Sequence, residues 1–323
     1  MNNYSFLERL LHKFALSSQL IREVTFDVES SLFSSESDFE RHVFIAGLAR
    51  SGTTVLLNSL YESNIFASLT YKDMPFILGP NLWSKISLNK VNIDFKDRYH
   101  GDGIKFSIES PEAFEEVFWE TFDENESETL DKFQIFINNI LKKYKKNRYL
   151  SKNNQNIRRL SLISNNYNHS KVLIPFREPI QHCFSLLTQH KRFIKFSKKD
   201  RFIPKYMKLI GHTEFGPNYF PINREKIFFK NDLDINHWIE QWNLTYRNCL
   251  ENLIDKKNVY FISYEKLCTT TDYWIEILKK LEIKEIYEYP FKESKRDVNL
   301  EIDSDLYKES LSLFHELNRV INK

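Results

Sequence analysis

Apolar positions along the chain follow two periods. Compact runs rich in β-branched and aromatic residues begin at His42 and recur at 68–76, 148–154, 171–177 and 259–263, and they read as short strands. Between them the spacing turns helical. Phe6, Leu7, Leu10, Leu11 and Phe14 mark an amphipathic helix over residues 4–22, and 29–38, rich in Ser and acids, reads as the loop into the first core strand. Val55, Leu56, Leu57, Leu60 and Tyr61 mark a helix directly after that strand. Ser110-Pro111 predicts a helix with Ser at its N-cap, Glu112, Glu115 and Glu116 as first-turn acids, and an apolar face of Phe114, Val117, Phe118 and Phe122. Further helices are predicted over 130–143, 180–190, 235–253, 273–281 and 304–321, the first of these ending in a solvated lysine run.

Strands alternating with helices in right-handed crossovers predict an α/β fold with a central parallel β-sheet flanked by helices. No internal repeat or low-complexity linker interrupts the 323 residues. The expected organisation is one domain over 1–323. Residues 1–40 supply an N-terminal helix and lead-in, and the basic, aromatic stretch 191–234 forms an insertion or lid.

The candidate chemistry begins where the first strand ends. Gly47, Arg50, Ser51 and Gly52 form a short polar turn, and Thr53 and Thr54 open the next helix. In a strand–loop–helix of this kind, loop N–H groups and the positive helix end converge on one anion. Arg50 adds a charge and the threonines add hydroxyl donors. The G-x-x-x-x-G-K-[ST] spacing of nucleoside triphosphatases is absent.

Composition narrows the classes. The formal charge of +2 indicates no nucleic-acid-binding footprint. Three cysteines, Cys183, Cys249 and Cys268, with no C-x-x-C pair, suit a reducing compartment without a disulfide framework or zinc site. No apolar run approaches the roughly 18–20 residues of a membrane span, so the expectation is a soluble, cytoplasmic protein.

A second motif gives the loop its meaning. Arg177 ends a buried strand, and Ser185 follows eight residues later in the next helix. A guanidinium and a hydroxyl so placed can grip one phosphate. The Arg-Ser-Gly-Thr-Thr string resembles the 5′-phosphosulfate loop of the sulfotransferase family, and the Arg-to-Ser spacing resembles its 3′-phosphate motif. Tyr264-Glu265-Lys266-Leu267 looks like a third, late element of the same family. The likeness runs over about 41–300 and comes nearest to bacterial sulfotransferase-family proteins, which show strings like Tyr-Lys-Asp-Met-Pro-Phe, His-Gly-Asp and the Tyr206–Gly216 motif of this chain. Val55 stands where cytosolic sulfotransferases place an adenine-stacking Trp. That leaves the adenine platform unassigned and points toward the tyrosylprotein and carbohydrate branch.

The resemblance implies a P-loop-type sulfotransferase fold with helical embellishments. It also implies transfer of a sulfuryl group from 3′-phosphoadenosine-5′-phosphosulfate to a hydroxyl or amine on a carbohydrate, lipid or small metabolite, with no metal. Arg50, Ser51, Gly52, Thr53 and Thr54 would hold the 5′-phosphosulfate, and Arg177 and Ser185 the 3′-phosphate. Tyr264 would lie beside the adenine and Arg296 near the 3′-phosphate, while Lys152 would neutralise the phosphosulfate bridge. Asp73, after the second strand, is the first candidate for general base, and a cap or a Lys72 pair is its structural alternative. His100, oriented by Asp102, is the second candidate. His190, Arg192, His212 and Glu214 fit no usual metal spacing and read as acceptor contacts or lid hydrogen bonds. Two other classes stay open: a nucleotide kinase or hydrolase on the same loop, and a non-catalytic nucleotide-binding module. The acceptor and the oligomeric state are not legible in the sequence.

Overall fold

Strands form at four of the five predicted places; the run 68–76 is not a strand, and a two-residue strand lies just before it. In the computed structural model, residues 6–33, 41–87, 96–97, 105–124, 128–200 and 202–321 are described. The strands are β1 (Val43–Ile45), β2 (Phe66–Ala67), β3 (Lys96–Asp97), β4 (Lys105–Phe106), β5 (Arg148–Lys152), β6 (Lys171–Phe176) and β7 (Val259–Ser263). The helices are α1 (Phe6–Ser17), α2 (Gln19–Phe33), α3 (Thr53–Tyr61), α4 (Pro80–Ile86), α5 (Glu116–Trp119), α6 (Thr129–Tyr144), α7 (Leu160–Asn166) and α8 (Pro179–Ser197). They continue with α9 (Phe202–Leu209), α10 (Ile235–Leu253), α11 (Tyr264–Thr269), α12 (Thr271–Lys280) and α13 (Ser304–Val320). The main sheet is parallel, of order β2-β5-β1-β6-β7, and the fold is α/β as predicted.

Two compact units make up the chain. One comprises Met1–Phe39, Leu60–Lys152 and Phe202–His212; the other comprises Glu40–Ser59, Asn153–Arg201 and Thr213–Lys323. The second unit holds β1, β6 and β7 in register, with Phe44 opposite Val172 and Ile174 opposite Phe261. Every β1 residue is buried, and so are all of β6 after Lys171, which accounts for their nearly unbroken apolar sequence. Trp238, Trp242 and Tyr246 of α10 are fully buried in this core. The helical period over 235–253 predicts that helix to the residue, and Asp234 caps it by accepting from Asn236 N at 2.9 Å.

The first unit has a different core. Phe26, Phe118, Trp119, Phe122, Phe133 and Phe136 form an aromatic cluster, with Phe118 stacked on Phe136 at 5.2 Å.

Four local expectations change. The N-terminal helix is two helices broken at Ser18, and the second runs on to Phe33 through part of the predicted loop. The cause is Glu29, which is buried and caps α4, its carboxylate accepting from Asn81 N and Leu82 N, both at 2.9 Å. The run 68–76 leaves the sheet at Ala67. Leu69–Tyr71 pairs instead with Ser110–Glu112, through Glu112 N to Leu69 O at 3.0 Å and Tyr71 N to Ser110 O at 3.3 Å. That pairing prevents a helix from opening at Ser110, whose hydroxyl accepts from Ser107 N; the helix begins only at Glu116. Within 191–234, α8 continues to Ser197 and α9 follows.

Candidate active site

The turn after β1 holds two residues with positive φ, Arg50 at 69° and Gly52 at 104°. Gly52 is required twice over. Its φ suits glycine, and a Cβ there would lie 2.7 Å from Cδ2 of Tyr264. Ser51 N donates to Leu48 O at 3.2 Å, and Leu56 N closes onto Gly52 O at 3.0 Å to begin α3. The first N–H groups of that helix, at Thr53 and Thr54, have no intrahelical acceptor. Thr53 Oγ1 donates to Asn154 Oδ1 at 3.2 Å, and Asn153 N donates to Ile45 O at 3.1 Å. The polar residues after β5 thus buttress the loop, a role the sequence did not suggest for Asn153 or Asn154.

The loop after β1 meets α8. Arg50 Nε donates to Ser185 Oγ at 3.1 Å. One turn earlier on α8, fully buried His182 places Nε2 2.8 Å from Ala49 O, and because a carbonyl only accepts, Nε2 carries the proton. Burial, foremost, holds the His182 pKa down at about 3; Arg177 and Arg50 push the same way against the Ala49 bond. Sequence reasoning missed His182. Its spacing of three before Ser185 on a helix was the signal available.

Arg177 is buried, and its partners are neutral. It donates to Ser294 O and lies 5.1 Å from the centroid of the Tyr264 ring. Among the described residues no carboxylate comes within ion-pair reach of it. Glu265 accepts from Glu178 N at 2.8 Å, and burial raises its pKa above the ordinary carboxylate value. Glu178 caps α8 through Ile180 N and Gln181 N, with Pro179 in the first turn.

The segment after α12 is laced to this place. Tyr264 OH donates to Lys292 O at 2.6 Å, and Gln181 exchanges two hydrogen bonds of 2.9 Å with the backbone of Arg296. Arg50, Ser51, Gly52, Thr53, Thr54, Arg177, Ser185, Tyr264 and Arg296 therefore lie on connected elements of one unit. The arrangement is basic and closes on the first turn of α3.

The other unit holds Asp73 and Lys152. Asp73 is fully buried, and its carboxylate is spoken for. Oδ2 accepts from Thr70 N at 2.7 Å and Tyr144 OH at 2.7 Å, and Oδ1 pairs with Lys143, which is itself buried and not part of a solvated run. Thr70 and Asp73 form a capping box on the 3-10 turn Tyr71–Asp73. Lys72 pairs with Glu109 at 2.8 Å. Asp73 thus occupies its structural alternative, as a cap, with Lys143 and not Lys72 as its cation.

Lys152 is also buried, 3.9 Å from Glu112 Oε1, while Tyr71 OH donates to Glu112 Oε2 at 2.8 Å. Glu115 accepts from Trp119 Nε1, Tyr149 OH and Ser151 Oγ. These buried acids are network members and not exposed first-turn dipole partners. His100 and Asp102 lie outside the described residues. Of the four residues from the lid stretch and its flank, three make specific hydrogen bonds: His190 Nδ1 accepts from Gly216 N, His212 Nε2 donates to Ala113 O, and Glu214 accepts from Asn154 Nδ2.

Comparison with known proteins gives this site its context. The model described as "Sulfotransferase family" matches residues 42–212. A sulfotransferase from Alicyclobacillus acidocaldarius is similar in structure at 14% identity and a TM-score of 0.41, over 87% of this chain and 94% of that one. Sulfotransferase STF1 from Mycobacterium tuberculosis H37Rv matches at 11% identity and a TM-score of 0.47, over 98% and 86%. STF9 from Mycobacterium avium matches at 10% identity and a TM-score of 0.43, over 98% and 79%. No curated protein matches. No helix of the described residues is long and apolar enough to cross a membrane. The family match spans more than half of the chain and takes in the Arg50 loop, Arg177 and Ser185 together, and the chain belongs to the sulfotransferase family.

Proposed function

We propose that this protein transfers a sulfuryl group from 3′-phosphoadenosine-5′-phosphosulfate to a hydroxyl or amine of a sugar, lipid or small-metabolite acceptor. The observation that carries the reading is the Arg50–Ser185 hydrogen bond, which ties the 5′-phosphosulfate loop to the 3′-phosphate motif. A donor with phosphates at both ends suits two such motifs; a donor with one does not need the second. Arg177 supports it as well, because a buried cation with no carboxylate in ion-pair reach among the described residues is completed by a bound anion.

Sulfuryl transfer, like phosphoryl transfer, is an in-line displacement through a loose transition state. It depends on positioning and on positive charge near the leaving and equatorial oxygens. Arg50, Ser51, Gly52 and the N–H groups of Thr53 and Thr54 hold the phosphosulfate in this reading. Arg177 and Ser185 take the 3′-phosphate, Tyr264 lies on the adenine side, and Arg296 adds charge. The resemblance assigns Lys152 to the bridging oxygen and leaves His100 as the candidate to take the acceptor's proton. Asp73, the sequence's first choice, is set aside because its carboxylate is buried and already holds Lys143, Tyr144 and Thr70.

The test is calorimetry with 3′-phosphoadenosine-5′-phosphate on wild type, Arg177→Ala and Arg50→Ala, with 5′-AMP as control. The expected result is micromolar or tighter binding by wild type, lost in both variants and not shared by 5′-AMP. Equal binding of the two nucleotides overturns the reading in favour of a nucleotide kinase or hydrolase. Tight binding without turnover on any acceptor panel indicates a binding module.

A further inference from the structure

We infer that His182 is a positioning residue for the donor site: its Nε2–H clamps the Ala49 carbonyl and so holds Arg50 in the left-handed conformation from which it reaches Ser185. Three observations converge on this residue. The ring is fully buried, 2.8 Å from Ala49 O. The residue after that carbonyl, Arg50, has φ 69°, a left-handed conformation unfavourable for a side-chain-bearing residue, which persists only where its surroundings impose it. The same helix then receives Arg50 Nε on Ser185, one turn beyond His182. α8 therefore holds the loop at two consecutive points, one on the backbone and one on the side chain.

The choice of histidine follows from charge. A lysine or arginine could also donate to Ala49 O, but would add a third cation beside half-buried Arg50 and buried Arg177. A neutral imidazole supplies the donor without the charge, and the low pKa keeps it neutral at working pH. Nδ1, the other ring nitrogen, has no hydrogen-bond partner among the described residues. The position thus needs one donor, at the place of Nε2, and sufficient bulk.

That requirement separates three substitutions. His182→Gln can put an amide N–H near the place of Nε2. His182→Asn puts one near Nδ1, too short to reach. His182→Leu keeps much of the bulk and removes the donor, leaving a buried carbonyl unpaired. Hydrogen–deuterium exchange of a peptide covering 47–54 reads the clamp without any ligand. Its exchange is expected to rise about tenfold in His182→Leu and His182→Asn and to stay within about threefold of wild type in His182→Gln. The affinity for 3′-phosphoadenosine-5′-phosphate, which rests on the proposed donor, is expected to follow the same order, with a loss of about tenfold for Leu and Asn.

Wild-type exchange in His182→Leu, or equal acceleration in Gln and Leu, overturns the clamp. If His182→Leu does not fold, the contrast between Gln and Asn decides by itself. If wild type binds no 3′-phosphorylated nucleotide, the donor assignment falls, and exchange alone still decides whether His182 holds the loop.

Discussion

The two units treat charge in opposite ways. Around Asp73, Glu112, Glu115 and Glu29 each carboxylate is buried and answered by lysine, tyrosine, serine, indole or backbone donors. Around Arg177, among the described residues, a buried guanidinium meets a carbonyl and an aromatic ring, with the Glu265 carboxylate in its field but beyond ion-pair distance. Both regions are rich in residue types that do chemistry, and both lie near strand ends. What separates them is satisfaction. A closed network holds a fold together, whereas a buried cation without an ion pair leaves its charge unanswered.

The contrast can be broken most sharply at Asp73. Asp73→Ala leaves Lys143 buried without its counter-charge and removes the cap of the 3-10 turn. It is expected to destabilise the protein by about 3–5 kcal/mol in urea denaturation, against less than about 1 kcal/mol for Arg177→Ala. Equal losses in the two variants would show that Arg177 belongs to a closed network after all.

A smaller effect tests the neutral ring beneath the arginines. The folded-state pKa of His182 is lowered, to about 3, from an ordinary 6.5, so between these values the unfolded chain binds the extra proton. The contribution is fully present above pH 6.5 and is lost as pH falls toward 3. Between pH 7.5 and pH 4.5 it amounts to roughly 2–3 kcal/mol, and His182→Gln should flatten the stability–pH curve by about that much. An unchanged slope would mean that the ring is accessible to protons in the folded state.

A smaller effect on stability than that of His182 is expected at Gly52. Gly52→Ala forces a Cβ against Tyr264 in a left-handed turn and should cost about 1–2 kcal/mol. It should weaken 3′-phosphoadenosine-5′-phosphate by about tenfold or more, because loop and tyrosine shift together. Stability lost with affinity intact would separate the Tyr264 packing from the donor site.

Much of this was legible in the chain. The runs at 171–177 and 259–263 are β-strands because they are apolar without a break, and 235–253 is a helix because Trp238, Trp242 and Tyr246 repeat at its period. Both periods are local properties. The loop was legible for the same reason, since glycine and polar residues between a strand and a helix set a tight turn through backbone geometry alone. The misreadings at Ser68–Phe76, Ser110 and Glu29 share a different cause. In each, a segment tens of residues away took the hydrogen bonds that the local pattern had assigned elsewhere.

The α/β class, most element positions and the family motifs follow from local period, turn chemistry and spacing, which act over a few residues. Long-range packing sets the rest: Asp73 as a cap with Lys143 as its partner, Arg50 resting on Ser185, and His182 bonded to the loop. Those outcomes depend on which donors and acceptors meet across 70 to 135 residues of chain, and no local pattern carries that information.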